Sequence, residues 1–483
     1  MTASSTIAAV ATGGAPGGIG VVRVSGPAAL EAARAVASAL PASPAPRHAY
    51  FTPLVDEAGR VLDEGLALYF AAPASFTGED VVELHAHGAP RLLSLLLEAV
   101  LRHPAVRPAE AGEFTRRAFL NGRIDLARAE AVADLVAAES EAQVRAAAAQ
   151  LSGQLSARLA AIRQPLVALH ADLEGVLDFP EEAEGADVDV APRLAAARLG
   201  VERLLADGRA GVLVRRGARV VLYGPVNAGK STLFNRLAGA NRALVDAEPG
   251  TTRDVLEARL ELGGLAVTLV DTAGLRGEPG RLEAMGIARA REALAGADVA
   301  VLLVPPEARP EEVAAWRAEA PDAVRLEVNS KADLLNPSQE APSSRDGVRV
   351  ADAASAARPP VDRQPSGETD EHQRAGAAGE AGSGPLRVSG ETGLGVAALQ
   401  AALVARLGGG VAGAVRVTSE RHLDALRRAA EALERAEVAV TASTLEVVSG
   451  EVGLALAALA DITGEDVSSE LLDAIFARFC IGK

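Results

Sequence analysis

The rhythm of hydrophobic and polar positions changes along the chain. Through residues 1–118, short β-branched runs alternate with turns: IGVVRVSG, GLALYF and DVVELHAHG have strand spacing, and RLLSLLLEAVL has helix spacing. This pattern predicts a compact α+β domain. Residues 119–213 shift to long Ala/Leu/Glu/Arg stretches such as IDLARAEAVADLVAAESEAQVRAAAAQL, which predict helices. Across 214–408 strands and helices alternate in the order of an α/β domain. Residues 409–483 return to helical texture; Leu423, Leu426, Ala430 and Leu433 recur at three- and four-residue spacing and share one face. The economical arrangement is one helical domain, split in sequence, with the α/β domain inserted into it.

One stretch falls outside every pattern. Between Pro337 and Pro385 there is no aromatic residue, Leu or Ile, and Pro, Ser, Gly, Ala and charged residues dominate. Such a segment buries too little apolar surface to offset its ordering entropy, so it is expected to be a disordered insertion without a catalytic role.

Composition narrows the class. With 49% hydrophobic and 23% charged residues, 483 residues suffice for several globular cores. The start, MTASSTIAAVATGGAPGGIG, has no positive leader and is broken by Gly and Pro. No apolar run approaches bilayer length. A single cysteine, Cys480, fits a reducing compartment, and the expectation is a cytoplasmic protein with no membrane association. The net charge of −16 argues against a surface coated with nucleic-acid contacts but leaves room for a local basic patch. Arg102, Arg107, Arg116, Arg117, Arg123 and Arg128 gather in one stretch, explained equally by such a patch or by a solvated helix face.

RVVLYGPVNAGKSTLFNRLAG carries the strongest chemical signal. A hydrophobic run ending at Tyr223 leads into Gly224-x-x-x-x-Gly229-Lys230-Ser231 and then an amphipathic helix, the context a P-loop requires. The glycines let backbone N–H groups of Asn227, Ala228, Gly229 and Thr232 approach phosphates, and the helix N-terminus adds its dipole. Lys230 is placed to bridge the β- and γ-phosphates, and the Ser231 hydroxyl to ligate Mg²⁺. Downstream, VTLVDTAG ends in Asp271-Thr272-Ala273-Gly274, where the carboxylate supports the metal shell and the glycine amide senses a γ-phosphate. EPGTTRD supplies Gly250, Thr251 and Thr252, one hydroxyl of which, Thr252, completes the Mg²⁺ sphere. LEVNSKADL ends in Ser330-Lys331-Ala332-Asp333, and the Asp333 carboxylate suits the N1–H and 2-amino donors of guanine. Adenine lacks that pair, so GTP is the expected nucleotide. Ser330 stands where Asn is usual, and Ser389-Gly390 resembles the final base-contacting pair with Gly for Ala. Leu275 follows the D-x-x-G box, where Ras-like enzymes keep a water-orienting Gln, so another group must orient the water.

With these boxes, the stretches STIAAVAT…GGIGVVRVSGPA, SFTGEDVVELHAHG, AGEFTRRAFLNGRIDLARAEAVADL, PGTTRD and the terminal FCIGK complete a resemblance that runs nearly end to end. The chain resembles the MnmE (TrmE) family of tRNA-modification GTPases. The resemblance implies a tetrahydrofolate-binding N-terminal domain that dimerises, a discontinuous helical domain, and an inserted Ras-like P-loop GTPase domain. It implies an enzyme that works with the flavin-dependent partner MnmG (GidA), in a heterotetramer or larger complex. Together they would build a carboxymethylaminomethyl-type group at carbon 5 of the wobble uridine of certain tRNAs. The one-carbon unit would come from a 5-formyl or 5,10-methylene tetrahydrofolate, the nitrogen from glycine or ammonia.

Carried over residue by residue, the family's K⁺ site falls on Asn227, Asp246, Glu248 and Thr251, in a loop whose VDAEPGTT departs from the commoner VTDIAGTT. The ion would take the place of an arginine finger. The water-positioning glutamate falls on Glu283, three residues before Gly286. The folate contacts fall on Arg23, Glu83, Arg123 and Lys483, with Arg123 where Lys is frequent. Each of these has the alternative of an ordinary surface ion pair. TGGAPGGIG lacks the arginine of the family's TPPGRGGVG turn. Cys480 is either a nucleophile toward the uridine or an intermediate, or a buried or merely positional residue. His85 and His87 alternate on one strand face and are read as packing or hydrogen-bonding residues. A second class, a ribosome-assembly or RNA-binding GTPase switch, would carry a KH-type clamp or a second P-loop, and the chain shows neither.

Overall fold

The computed structural model describes residues 5–179, 189–240, 256–272, 290–321, 324–334, 386–408, 417–465 and 467–482. The Pro337–Pro385 segment lies outside the described residues.

The N-terminal unit is built on a six-stranded sheet of order β3-β4-β5-β2-β1-β6. Its strands are β1 Thr6–Val10, β2 Gly17–Ser25, β3 Ala49–Val55, β4 Val61–Phe70, β5 Val81–Gly88 and β6 Val106–Pro108. Pairing is antiparallel except between β1 and β6. Because strand side chains alternate in direction, Val22, Val24, Val82 and Leu84 turn one way into a core closed by helices Ala29–Val36 and Pro90–Leu101. The same alternation turns Arg23, Glu83 and His85 to the opposite face, and the β2–β5 register sets Arg23 directly against Glu83.

Four long helices, Gln154–Asp178, Val190–Arg216, Glu420–Ala442 and Leu445–Thr463, bury their leucine stripes in one core. Leu166, Leu169 and Leu173 from the first part meet Leu426, Leu433, Val452 and Leu459 from the second. The two helical stretches are therefore one structural unit interrupted in sequence. Shorter helices lead into it: Leu126–Val136 is capped by Asp125, whose carboxylate accepts from Arg128 N at 2.9 Å, and Glu141–Leu151 by Ser140.

The inserted unit holds a second six-stranded sheet, order β12-β11-β10-β7-β9-β8. Its strands are β7 Ala218–Tyr223, β8 Leu256–Leu262, β9 Leu265–Asp271, β10 Val299–Val304, β11 Arg325–Asn329 and β12 Leu386–Arg387. All neighbours run parallel except β8 against β9. Parallel strands deliver their C-terminal ends to a single edge, where open α/β sheets bind ligands. The loops after β7, β11 and β12 emerge there, beside the end of β9.

The C-terminal segment folds back. Helix Ser469–Phe476 and Phe479 pack on Leu126 and Ala129, and Ile481 pairs with Ala111 as an isolated bridge. No helix among the described residues is long and apolar enough to cross a membrane.

The clustered arginines do not form a free basic patch: they run from buried Arg117 to exposed Arg102 and Arg123, and each has a polar partner. Arg107 pairs with Glu113, Arg117 with Glu79 and Glu113, Arg116 with Asp473, and Arg102 with Glu57. Arg123 and Arg128 donate to the carbonyls of Ser75 and Leu151. Sequence proximity placed them together, but each is engaged by a carboxylate or carbonyl, with Glu113 shared by Arg107 and Arg117.

Candidate functional site

A cleft of about 600 Å³ opens at the C-terminal edge of the second sheet. Asn227, Ala228, Gly229, Lys230, Ser231 and Thr232 line one side, and Ser330, Lys331, Asp333, Ser389 and Gly390 the other. The turn after β7 is tight enough to demand glycine: Gly224 has φ +136°, and a Cβ there would lie 2.7 Å from Leu303 O. Asn227 also adopts a left-handed backbone, φ +62°, which asparagine tolerates better than most residues. Lys230 is 5% exposed, and its ammonium donates to the carbonyls of Gly224 at 3.0 Å and Pro225 at 2.6 Å. A buried ammonium held over this loop is a ready countercharge for an anion entering the cleft.

Below the loop, the Ser231 hydroxyl donates to Asp271 Oδ2 at 2.6 Å, and Asp271 is fully buried at the end of β9. Two oxygen donors converging at a buried carboxylate have the chemistry a small hard divalent cation takes. Thr272 turns inward, its hydroxyl on Leu222 O at 2.9 Å. On the other wall Ser330 is 4% exposed and its Oγ has no hydrogen-bond partner among the described residues. Asp333 is exposed in a short 3-10 turn, Lys331 pairs with Glu307 at 3.4 Å, and Ser389 Oγ accepts from Thr392 N at 3.1 Å. Asp246, Glu248, Gly250, Thr251, Thr252, Ala273, Gly274 and Glu283 lie outside the described residues.

A second cluster forms on the N-terminal sheet. Arg23 engages Glu83 Oε1 through Nε and Nη2, both at 2.9 Å, and His85 Nε2 lies 3.3 Å from Glu83 Oε2. The His85 hydrogen bond and the Arg23 charge hold the Glu83 carboxyl below its ordinary range, against the opposing effect of burial. Arg23 lies over the rings of Phe76 and Phe114 at 5.9 and 5.7 Å and also reaches Gly482 O at 3.4 Å. The C-terminal tail thus rests on the ion pair. Arg123 approaches through the same loop as Phe76, donating to Ser75 O at 3.2 Å. An ionised carboxylate paired with a guanidinium that itself lies over the Phe76 ring suits a flat heterocycle that offers N–H groups. Lys483 lies outside the described residues.

Cys480 is exposed, with its carbonyl receiving Gly112 N at 3.4 Å. The reading of this residue as a buried hydrophobe is thereby corrected: the apolar contact at the tail is made by Phe479 instead. His85 and His87 engage carboxylates, Glu83 and Asp63, and no group of potential metal ligands occurs among the described residues. Sequence reasoning missed the partners that complete these sites. Phe76 and Glu79 lie within SFTGEDVVELHAHG, a stretch already singled out, yet only the fold brings Phe76 to Arg23 and Glu79 to Arg117. Arg236, which donates from Nε to Gly390 O at 2.9 Å beside the cleft, escaped entirely, because no spacing rule marks it.

Comparison with known proteins agrees with this geometry. Residues 6–123 match the family described as GTP-binding protein TrmE N-terminus, and residues 126–480 match the MnmE helical domain. The chain is 58% identical over 485 residues to the tRNA modification GTPase MnmE of Myxococcus xanthus, with 100% of each chain covered. It is 43% identical to the protein of the same name from Thiobacillus denitrificans, covering 99% of this chain and 98% of that one. For the Synechococcus protein of that name the identity is 40%, with both chains covered in full.

Proposed function

The chain belongs to the MnmE family of tRNA modification GTPases, and from that premise we propose how its two clusters divide the work. It is a GTPase that acts in tRNA modification. In our reading the cleft takes GTP, with Lys230 and the amides of the Asn227–Thr232 turn on the phosphates. Asp333, Ser330 and the Ser389-Gly390 loop face the base. The observation that carries this is the convergence of Lys230, the Ser231–Asp271 pair, Asp333 and Ser389 on one cleft.

Ser231 and Thr252, backed by Asp271, would hold Mg²⁺, which when bound offsets the charge of the phosphate oxygens. Asn227, Asp246, Glu248 and Thr251 would hold K⁺, and Glu283 would orient the attacking water, the task that Leu275 cannot perform. In the second cluster Glu83 would accept N–H groups from the pterin of a 5-formyl or 5,10-methylene tetrahydrofolate. Arg23, Arg123 and Lys483 would hold the ligand's anionic tail, and Cys480 would serve as a nucleophile beside it. The full reaction would be construction of a carboxymethylaminomethyl-type group at carbon 5 of the wobble uridine. It would be carried out in the cytoplasm by a homodimer together with the flavin-dependent MnmG.

The test is GTP hydrolysis in KCl against NaCl at equal ionic strength. Strong acceleration by K⁺, abolished in Asn227→Ala, supports the cation-dependent mechanism. Equal rates in both salts overturn it and leave a GTPase without that link.

A further inference from the structure

The loop after β12 is held in an unusual way. Its base is tied by backbone bonds to β11, Val388 N to Asn329 O at 2.8 Å, and to the 3-10 turn after it, Ala332 N to Val388 O at 3.2 Å. Its return is closed by Ser389 N on Leu394 O, Gly393 N on Ser389 O and Thr392 N on Ser389 Oγ. Ser330 adds no tether, since its Oγ is unpartnered among the described residues. The apex, Gly390-Glu391, is fixed from the opposite side. Arg236, on helix Lys230–Ala240, donates from Nε to Gly390 O at 2.9 Å and from Nη2 to Glu391 O.

This grip is close. A Cβ on Gly390 would lie 2.7 Å from Leu233 N and 2.9 Å from Thr232 C, so the loop touches the turn that carries Ser231. The N–H groups of Gly390 and Glu391 have no acceptor among the described residues, and both residues line the cleft. In a trans peptide the N–H points away from the C=O. Drawing Gly390 O toward Arg236 therefore turns the Glu391 N–H away from the helix surface. Arginine suits the task because its planar fork reaches two carbonyls at once, which a lysine ammonium does not reproduce.

We propose that Arg236 is a positioning residue for base selection: it holds the Gly390–Glu391 peptide so that free backbone N–H groups meet the 6-oxo group of the purine. The inference rests on the reading above that this loop faces the base, and adds the residue that sets its preference for 6-oxo over 6-amino purines. Asp333 would read the N1–H and the 2-amino group, of which hypoxanthine keeps only the first.

The experiment compares dissociation constants of GDP, IDP and ADP for the full-length wild type, Arg236→Ala, Arg236→Lys and Asp333→Asn, by competition against a fluorescent guanine nucleotide. Arg236→Ala is expected to weaken GDP and IDP about tenfold and leave ADP unchanged. The GDP:ADP ratio then falls while GDP:IDP holds, and Arg236→Lys lies between. Asp333→Asn should lower GDP:ADP too, but collapse GDP:IDP with it, which Arg236→Ala leaves in place. An equal loss for all three nucleotides in Arg236→Ala makes the arginine a general scaffold and overturns the proposal, as does no loss at all. A wild type without preference for GDP over ADP would instead bring down the guanine reading itself, and this proposal with it.

Discussion

His422 Nε2 lies 2.8 Å from Glu130 Oε2, joining the two helical stretches across the whole inserted domain. His422 is fully buried and Glu130 is 8% exposed at its side chain, while Arg421 closes on the same carboxylate from Nε at 3.0 Å. Burial raises the Glu130 pKa, but the bonds and charges of His422 and Arg421 outweigh it and bring the value down to about 2. The group is therefore ionised wherever the fold is intact near neutrality, and it locks together segments that only the completed domain brings into contact.

Removing one partner strands the other. Glu130→Ala is expected to lower stability by about 3–5 kcal/mol, read as a shift of the urea midpoint, because it leaves buried His422 without its carboxylate and Arg421 with only neutral carbonyls, those of Asp461 and Ile462, to meet its charge. A loss below about 1 kcal/mol would show that the contact contributes no more than a surface pair.

The same carboxylate predicts a pH dependence. Its folded pKa, about 2, lies below the unfolded value near 4.5, so its contribution is present above 4.5 and fades as pH falls toward 2. Acid titration of stability should show that loss in the wild type and a flatter profile in Glu130→Gln.

At the nucleotide cleft, Ser231→Ala removes the hydroxyl paired with Asp271 and leaves the phosphate loop in place. GTP turnover should fall by about 10²-fold or more, with binding of GDP in the absence of Mg²⁺ affected far less. Equal losses with and without the metal would assign Ser231 to the fold of the loop.

Cys480 is the sole cysteine of the chain and is exposed. A maleimide probe should therefore label close to one thiol per chain in native buffer, at a rate little changed by denaturant. Labelling only after unfolding would return the residue to the interior.

Deletion of the Pro337–Pro385 segment should leave GTP turnover within about twofold, because it lacks the aromatic, Leu and Ile side chains a folded element needs. A large loss of turnover would give the segment a working part.

The sequence by itself determined the features that are written in contiguous residues. The P-loop needs only Gly224, Gly229, Lys230 and Ser231 between a strand and a helix, and that order survives in the structure as β7, turn and helix Lys230–Ala240. The strand spacing of DVVELHAHG and the leucine face of Glu420–Ala442 were legible for the same reason, since a backbone period acts over neighbouring residues. What only the tertiary structure decided are the partnerships of side chains far apart in the chain. Arg23 meets Glu83 because β2 and β5 are neighbours in one register, and it meets Gly482 because the tail folds back. Arg236 meets Gly390, and His422 meets Glu130, by the same kind of closure. Charge and size in the sequence leave many such pairings open, and the packing of apolar faces selects one, after which each polar group takes whichever partner is then within reach.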